Sequence, residues 1–200
     1  MNFFDGLPFV SFWVLTGILT LRVFLLKKKG IQVSSKSGKK NKITRFLFPV
    51  FGLVFLLWLF EITKQAFQLS FLVLPDVFVK WLFGSIFLKV SGAVSIFLSL
   101  FFLTVTLVHF NTSLRFGLDE SNRGKLVTTG VFSISRNPFF LSLDLYFLGI
   151  ALIFPNLFFI GFTFLAFLGV HFFILKEEKF LRKVYGEAYE KYAEKVRRYF

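Results

Sequence analysis

Apolar residues run almost unbroken over 7–26, stop at a lysine triplet, and resume near Thr44. A helix needs about 20 apolar residues to cross about 30 Å of hydrocarbon. Residues 7–26 therefore predict a first spanning helix, with Arg22 near enough to its end to reach the interface along its alkyl stem. Residues 44–62 predict a second span, whose end Glu61 marks. Over 64–83 the pattern is mixed: Phe67, Phe71, Leu74 and Phe78 recur at helical spacing, but Lys64, Gln65, Gln68, Asp76 and Lys80 interrupt them and Pro75 breaks the run. That pattern predicts a segment lying in the interface. Residues 85–109 predict a third span, and 139–154 and 157–175 a fourth and fifth. Only Pro155 and Asn156 separate the last two, which predicts an antiparallel helical hairpin. Beyond Leu181, residues Val184, Tyr185, Ala188, Tyr189, Tyr192, Val196 and Tyr199 follow helical spacing among basic residues. This predicts an amphipathic helix on the membrane, with Gly186 as a candidate break.

The expected fold is all-α: a polytopic membrane bundle of about five spans with a C-terminal amphipathic helix. Residues 1–110 and 111–200 are expected to form one integrated domain. Composition agrees, because 56% hydrophobic residues, 34 Phe and a mean hydropathy of +0.71 exceed what a water-soluble core of 200 residues can hide. The formal charge of +13 raises nucleic acid as a partner, but the basic residues lie between and after the apolar runs. A membrane protein with a positive face is the expected reading, with membrane lipids and no nucleic acid as partners. The absence of cysteine excludes disulfides, thiolate nucleophiles and Cys-based metal sites. His109 and His171 stand in different apolar segments and make no metal-binding pair, so no metal is expected. The first apolar run follows Asp5 and precedes lysines, not a small-residue cleavage site, so it is expected to be a retained span and not a signal peptide.

Charge sets the expected orientation. Residues 27–45 hold eight basic residues and no acid, and residues 176–200 hold eight more. The first six residues and 61–81 together hold only Lys64 and Lys80. With five spans, the positive-inside rule places the N-terminus outside and puts the first loop, the 110–138 loop and the C-terminal tail in the cytoplasm. The first loop is expected to be disordered, a topology determinant attracted to anionic lipid.

Three polar stretches then meet on one side: "GKLVTTGVF" at 124–132, "SRNPFFLS" at 135–142 and "KEEKFLRKVYGEAYEKY" at 176–192. Gly130 permits a tight turn and Pro138 fixes φ where the fourth span starts. Arg136 offers planar paired donors for a carboxylate or phosphate, and Asn137 both donates and accepts. Glu177 and Glu178 need a cationic partner, and Arg136 can be a neighbour of Glu177. Each signal has a plainer reading, since an Arg at a helix end is also a topology signal and a Glu pair is also a solvated face. Asp144 lies more than one turn inside the fourth span. It is expected to face a cavity, a partner or a ligand, or else to pair with Ser95, Lys89 or Tyr146 and hold helices together.

In order and spacing, Leu-Val-Thr-x-Gly-x-Phe, Ser-Arg-Asn-Pro-x-Phe, an apolar hairpin, Glu-Glu-x-x-Leu and Tyr-Gly-Glu-x-Tyr-x-x-Tyr resemble the isoprenylcysteine carboxyl methyltransferase and phospholipid methyltransferase family over about the last eighty residues. The resemblance implies a membrane enzyme that takes S-adenosylmethionine as cofactor and a lipophilic acceptor from the bilayer, either an isoprenylcysteine carboxylate or a phospholipid amine. It implies cofactor contacts at Lys125, Leu126, Val127, Phe132, Asn137, Pro138, Phe140 and Glu177. Arg136 is expected to hold a carboxylate of cofactor or substrate, Glu178 to act as base for an amine acceptor, and Asp144 to line the substrate cavity. The family usually has His at Asn137, Tyr at Phe132 and Phe140, Gly at Ser142 and often Arg at Phe173. Two other classes stay open: an NADPH-dependent enzyme similar to sterol reductases, and a non-catalytic membrane protein on the same scaffold.

Overall fold

A computed structural model describes residues 2–31, 33, 42–114 and 124–199, without the side chains of 42–48. Most of the first basic loop, with its expected disorder and lipid attraction, lies outside the described residues. The helices are α1 (Phe3–Lys28), α2 (Lys42–Phe67), the single turn α3 (Asp76–Val79), α4 (Ile86–Phe110), α5 (Pro138–Ile153), α6 (Leu157–Tyr185) and α7 (Glu187–Lys195). There is no strand among the described residues. Among the described residues, four helical segments are long and apolar enough to cross a membrane: Phe3–Lys28, Pro49–Phe67, Ile86–Ser113 and Leu157–Tyr185. The fifth expected span, α5, is a shorter apolar helix of 16 residues, about 24 Å at 1.5 Å per residue.

Tertiary contacts fix how the passes alternate. Arg22 Nη2 donates to Asn111 O at 2.6 Å, which joins the last turns of α1 and α4. At the opposite end Phe9 and Phe67 pack edge to face, joining the start of α1 to the end of α2. The α5–α6 corner lies at that same opposite end, where Leu82 N donates to Pro155 O and Asn156 Nδ2 to Val79 O. Asn156 Oδ1 also accepts from Phe159 N and caps α6. The end of α1 and α4 is called the basic end below.

Two boundaries differ from the sequence pattern. The second helix runs through Glu61 to Phe67, so the expected interfacial segment begins only after it. Glu61 is fully buried and its Oε2 lies 3.0 Å from Lys64 Nζ, one turn on. Each charge compensates the other, so the helix continues where the pattern suggested a stop. At the C-terminus, Gly186 takes φ +54° and does break the helix. The apolar face of α7 then turns to protein: Tyr189, Tyr192 and Val196 pack with Leu126, Leu181 and Tyr185. Tyrosine hydroxyls need partners when buried, and Tyr192 finds one in Phe132 O at 2.6 Å.

Around the bundle, Phe24, Phe51, Phe87, Phe101, Phe164 and Phe172 are each at least 60% exposed, as a lipid-facing surface requires. Inside, Trp58 is 1% exposed and stacks on Phe55 and Phe162. The closest helix pair is α4 with α5. A Cβ on Gly92 would stand 2.6 Å from Gly149 O, and one on Gly149 would stand 2.7 Å from Gly92 O. At that separation serine hydroxyls bridge to the facing backbone: Ser95 Oγ donates to Leu145 O at 2.8 Å and Ser99 Oγ to Ser142 O at 2.7 Å. Ser142 is fully buried and donates to Phe139 O at 2.6 Å. Small residues and hydroxyl bonds replace the hydrophobic drive that lipid removes.

Gly149→Ala is expected to force α4 and α5 apart and cost about 1–3 kcal/mol, read from unfolding in detergent micelles. Gly161→Ala on α6, where the added Cβ meets nothing within 4 Å, is expected to be neutral or slightly stabilising. Equal effects at the two positions would remove the seam as a stability determinant.

Candidate active site

Because α5 is short and α6 has 29 residues, the last turns of α6 stand beyond the start of α5. The level is marked by Phe140 and Phe173, whose rings lie 5.4 Å apart. Above them a notch remains beside α6, and two pieces of chain fill it: residues 135–137 leading into α5, and residues 196–199 returning from α7. Arg136 N donates to Arg197 O at 3.0 Å, and Asn137 Nδ2 to Arg198 O at 3.1 Å. Ser135 Oγ donates to Arg198 O at 3.3 Å and accepts from Asn137 N. Pro138, which has no N–H, sits at the first helical position.

Glu178 is the anchor of this notch. It is 4% exposed. Arg198 clasps it with both prongs, Nε to Oε1 at 3.0 Å and Nη2 to Oε2 at 2.9 Å, and Arg136 Nη2 lies 3.4 Å from Oε1. Two guanidiniums on one carboxylate satisfy a charge that burial alone would penalise. Hydrogen bonding to Glu178 pushes the Arg198 pKa above its ordinary value. Burial first, then the Glu178 charge, pushes up the pKa of Tyr189, whose buried hydroxyl makes no hydrogen bond of standard geometry. Arg136 thus neighbours Glu178, not Glu177. Glu177 is half-buried and has no hydrogen-bond or ion-pair partner among the described residues.

The remaining expected site residues fall in two other places. Lys125, Leu126 and Val127 line a cleft of 760 Å³ between 124–129 and the end of α4, opposite His109 and Asn111. The cleft is tied to the notch through Leu126, which packs on the α7 tyrosines, and through Tyr185, whose hydroxyl donates to Gly124 O. Gly130 has φ +65°, and any Cβ there would collide with the His109 ring, so both backbone and space require glycine. Phe132 is buried 4.8 Å from the Phe110 ring, with its carbonyl taken by Tyr192.

Asp144 lies one turn below Phe140 and is half-buried, and its Oδ1 is enclosed without a hydrogen-bond partner. The partners the sequence offered it are engaged elsewhere. Ser95 donates to Leu145 O, Lys89 Nζ sits 4.5 Å from the Trp81 ring centroid, and Tyr146 OH donates to Pro8 O. Tyr199 instead comes down from the tail: its hydroxyl is 2.7 Å from His171 Nδ1 and the two rings stack. Burial, and next the Asp144 charge, push the Tyr199 pKa up. Sequence reasoning missed Arg198, Tyr199 and His171 as parts of this region. No periodicity signals that the chain turns back after α7, and a lone His in an apolar helix carries no signal of its own.

Compared with known proteins, residues 87–188 match the model of a family described as phospholipid methyltransferase. No curated protein and no solved structure matches the chain. The matched stretch covers α4, α5 and α6 with the connections between them, and stops before Arg198 and Tyr199.

Glu178→Gln would leave the Arg136 side chain, 10% exposed, without its counter-charge. The expected loss is about 3 kcal/mol, with faster tryptic cleavage at Arg197 and Arg198 as the tail is freed. Glu177→Gln, one residue away and unpaired, is expected to change stability by less than about 0.5 kcal/mol. If both substitutions cost the same, Glu178 does not anchor the notch.

Proposed function

Because the chain belongs to the phospholipid methyltransferase family, we propose that it is a membrane methyltransferase that uses S-adenosylmethionine and takes a lipophilic acceptor from the bilayer. The observation that carries this reading is Glu177, a half-buried carboxylate left unpaired beside a neighbour held by two guanidiniums. The residues at the notch and the cleft suit the cofactor: a free carboxylate for its ammonium or ribose hydroxyls, Arg136 for its carboxylate, and a cleft at 125–127 of sufficient volume for a nucleoside. Phe132, Asn137, Pro138 and Phe140 complete the proposed cofactor surface, with Asn137 held in place by the Arg198 carbonyl.

When bound, S-adenosylmethionine supplies a methyl group on a sulfonium, ready for in-line displacement. The chain's own part is alignment and charge. Arg136 binds an anionic group while Glu178 fixes its guanidinium; the buried, unbonded Arg136 Nε is a donor still to be used. For an amine acceptor, Glu178 is the carboxylate proposed to take the proton, and Arg198 has to release it first. A carboxylate acceptor needs no base. In this reading the basic end faces the cytoplasm, where the cofactor is made, and the N-terminus is extracytoplasmic. Asp144, deeper along α5, faces the acceptor.

Calorimetric titration of the purified protein with S-adenosylmethionine and with NADPH, followed by transfer of labelled methyl into a lipid extract, tests the reading. Binding of S-adenosylmethionine and label in lipid are expected. Binding of NADPH alone would favour the reductase class, and binding of neither a non-catalytic scaffold. Glu177→Gln is expected to weaken cofactor binding by about 1.5–3 kcal/mol in a folded protein. Arg136→Lys is expected to impair transfer although it keeps the charge, because Lys lacks the planar fork.

A further inference from the structure

Asp144 carries an enclosed oxygen with no partner, inside an apolar helix where such a group is costly. The wall above it is apolar, since Phe140 and Phe173 pack on each other. The serines at this depth are already bonded to backbone oxygens, whereas His171 from α6 and Tyr199 from beyond α7 are joined to each other by the 2.7 Å hydrogen bond and by ring stacking. Tyr199 feels the Asp144 charge, and a hydroxyl bonded once retains further hydrogen-bonding capacity. On the lipid side, Leu168, Phe172 and Phe173 of the same α6 stretch are 40%, 60% and 41% exposed. A polar floor between two helices, with an apolar flank open to lipid, suits a molecule whose tails stay in the bilayer and whose headgroup turns inward.

We propose that Asp144, His171 and Tyr199 form the niche that receives the polar headgroup of the lipid acceptor. Asp144 accepts a hydrogen bond from a donor-bearing headgroup, and His171 acts as a positioning residue that holds the Tyr199 hydroxyl at the niche. An anionic headgroup is disfavoured beside an ionised Asp144, because neither then offers the other a donor. Tyr199 lies outside the stretch that matches the family model, so the niche is completed by this chain's own tail. The proposal rests on the methyl-transfer reading for the word acceptor, but its test does not require turnover.

The test titrates the full chain in detergent micelles with a short-chain phospholipid bearing a primary amine, and with one of the same tails bearing a fully methylated quaternary headgroup. The wild type is expected to bind the amine lipid about tenfold more tightly, since only that headgroup has donors. Tyr199→Phe is expected to weaken amine-lipid binding about fivefold and to leave S-adenosylmethionine affinity unchanged within about twofold. His171→Ala should match it, and the double variant should be no worse than Tyr199→Phe alone, because His171 acts through Tyr199. Asp144→Leu should abolish the discrimination while the melting temperature holds or rises, since an unsatisfied buried group is removed. Equal binding of the two lipids by wild type, or discrimination that survives Asp144→Leu and Tyr199→Phe, overturns the niche. Amine-lipid discrimination without methyl transfer would overturn the enzymatic reading and leave the niche standing. Methyl transfer with unaltered variants would do the reverse.

Discussion

The approach of α4 to α5 is closer than side chains allow, and much of the bundle's geometry follows from it. At Gly92 and Gly149 each carbonyl oxygen stands only 2.6–2.7 Å from where a Cβ of the other helix would be. That contact brings the hydroxyls of Ser95 and Ser99 within reach of backbone oxygens across the seam. In lipid, where apolar burial between helices gains little, such contacts decide which helices pair. With its height fixed against α4, α5 can be short and enclosed by protein.

The short α5 in turn creates the notch. The taller α6 leaves the buried Glu178 facing empty space above the start of α5, and a carboxylate cannot be left there without compensation. Residues 135–137 and the tail enter that space and bring one arginine each. Ser135, the Arg136 backbone and Asn137 all donate to the tail's carbonyls, so the loop before α5 and the chain after α7 are ordered together. The two adjacent glutamates thereby acquire different characters. One is saturated by guanidinium, and the other has no hydrogen-bond or ion-pair partner among the described residues.

In the proposed reading the region divides by depth into tasks. The cleft beside 124–129 and the open Glu177 lie at the basic end, where a water-borne cofactor can arrive in the proposed orientation. Asp144, His171 and Tyr199 lie one turn or more deeper, next to a lipid-exposed flank. In the proposed reaction a methyl donor from water and an acceptor from lipid would meet near the level that Phe140 and Phe173 mark.

Length and hydropathy alone determined the all-α bundle, because a run of about 20 apolar residues has few stable forms in a bilayer other than a helix. The Pro155–Asn156 corner, the break at Gly186, the turn at Gly130 and the convergence of 124–132, 135–142 and 176–192 were equally legible, since each rests on local covalent geometry or on spacing. The sequence could not show that Glu61 stays buried, because a carboxylate after an apolar run itself reads as the end of the span. Nor could it tell Glu177 from Glu178. Adjacent residues on a helix point about 100° apart, and which one meets the arginines depends on how α6 is rotated against α5. The return of Arg198 to Glu178 and of Tyr199 to His171 was decided only in three dimensions. Helical spacing that runs on to Tyr199 pointed to a continuing amphipathic helix, but α7 ends at Lys195, and the path of the tail beyond it is set by a buried charge and an empty notch that exist once α5 and α6 have packed.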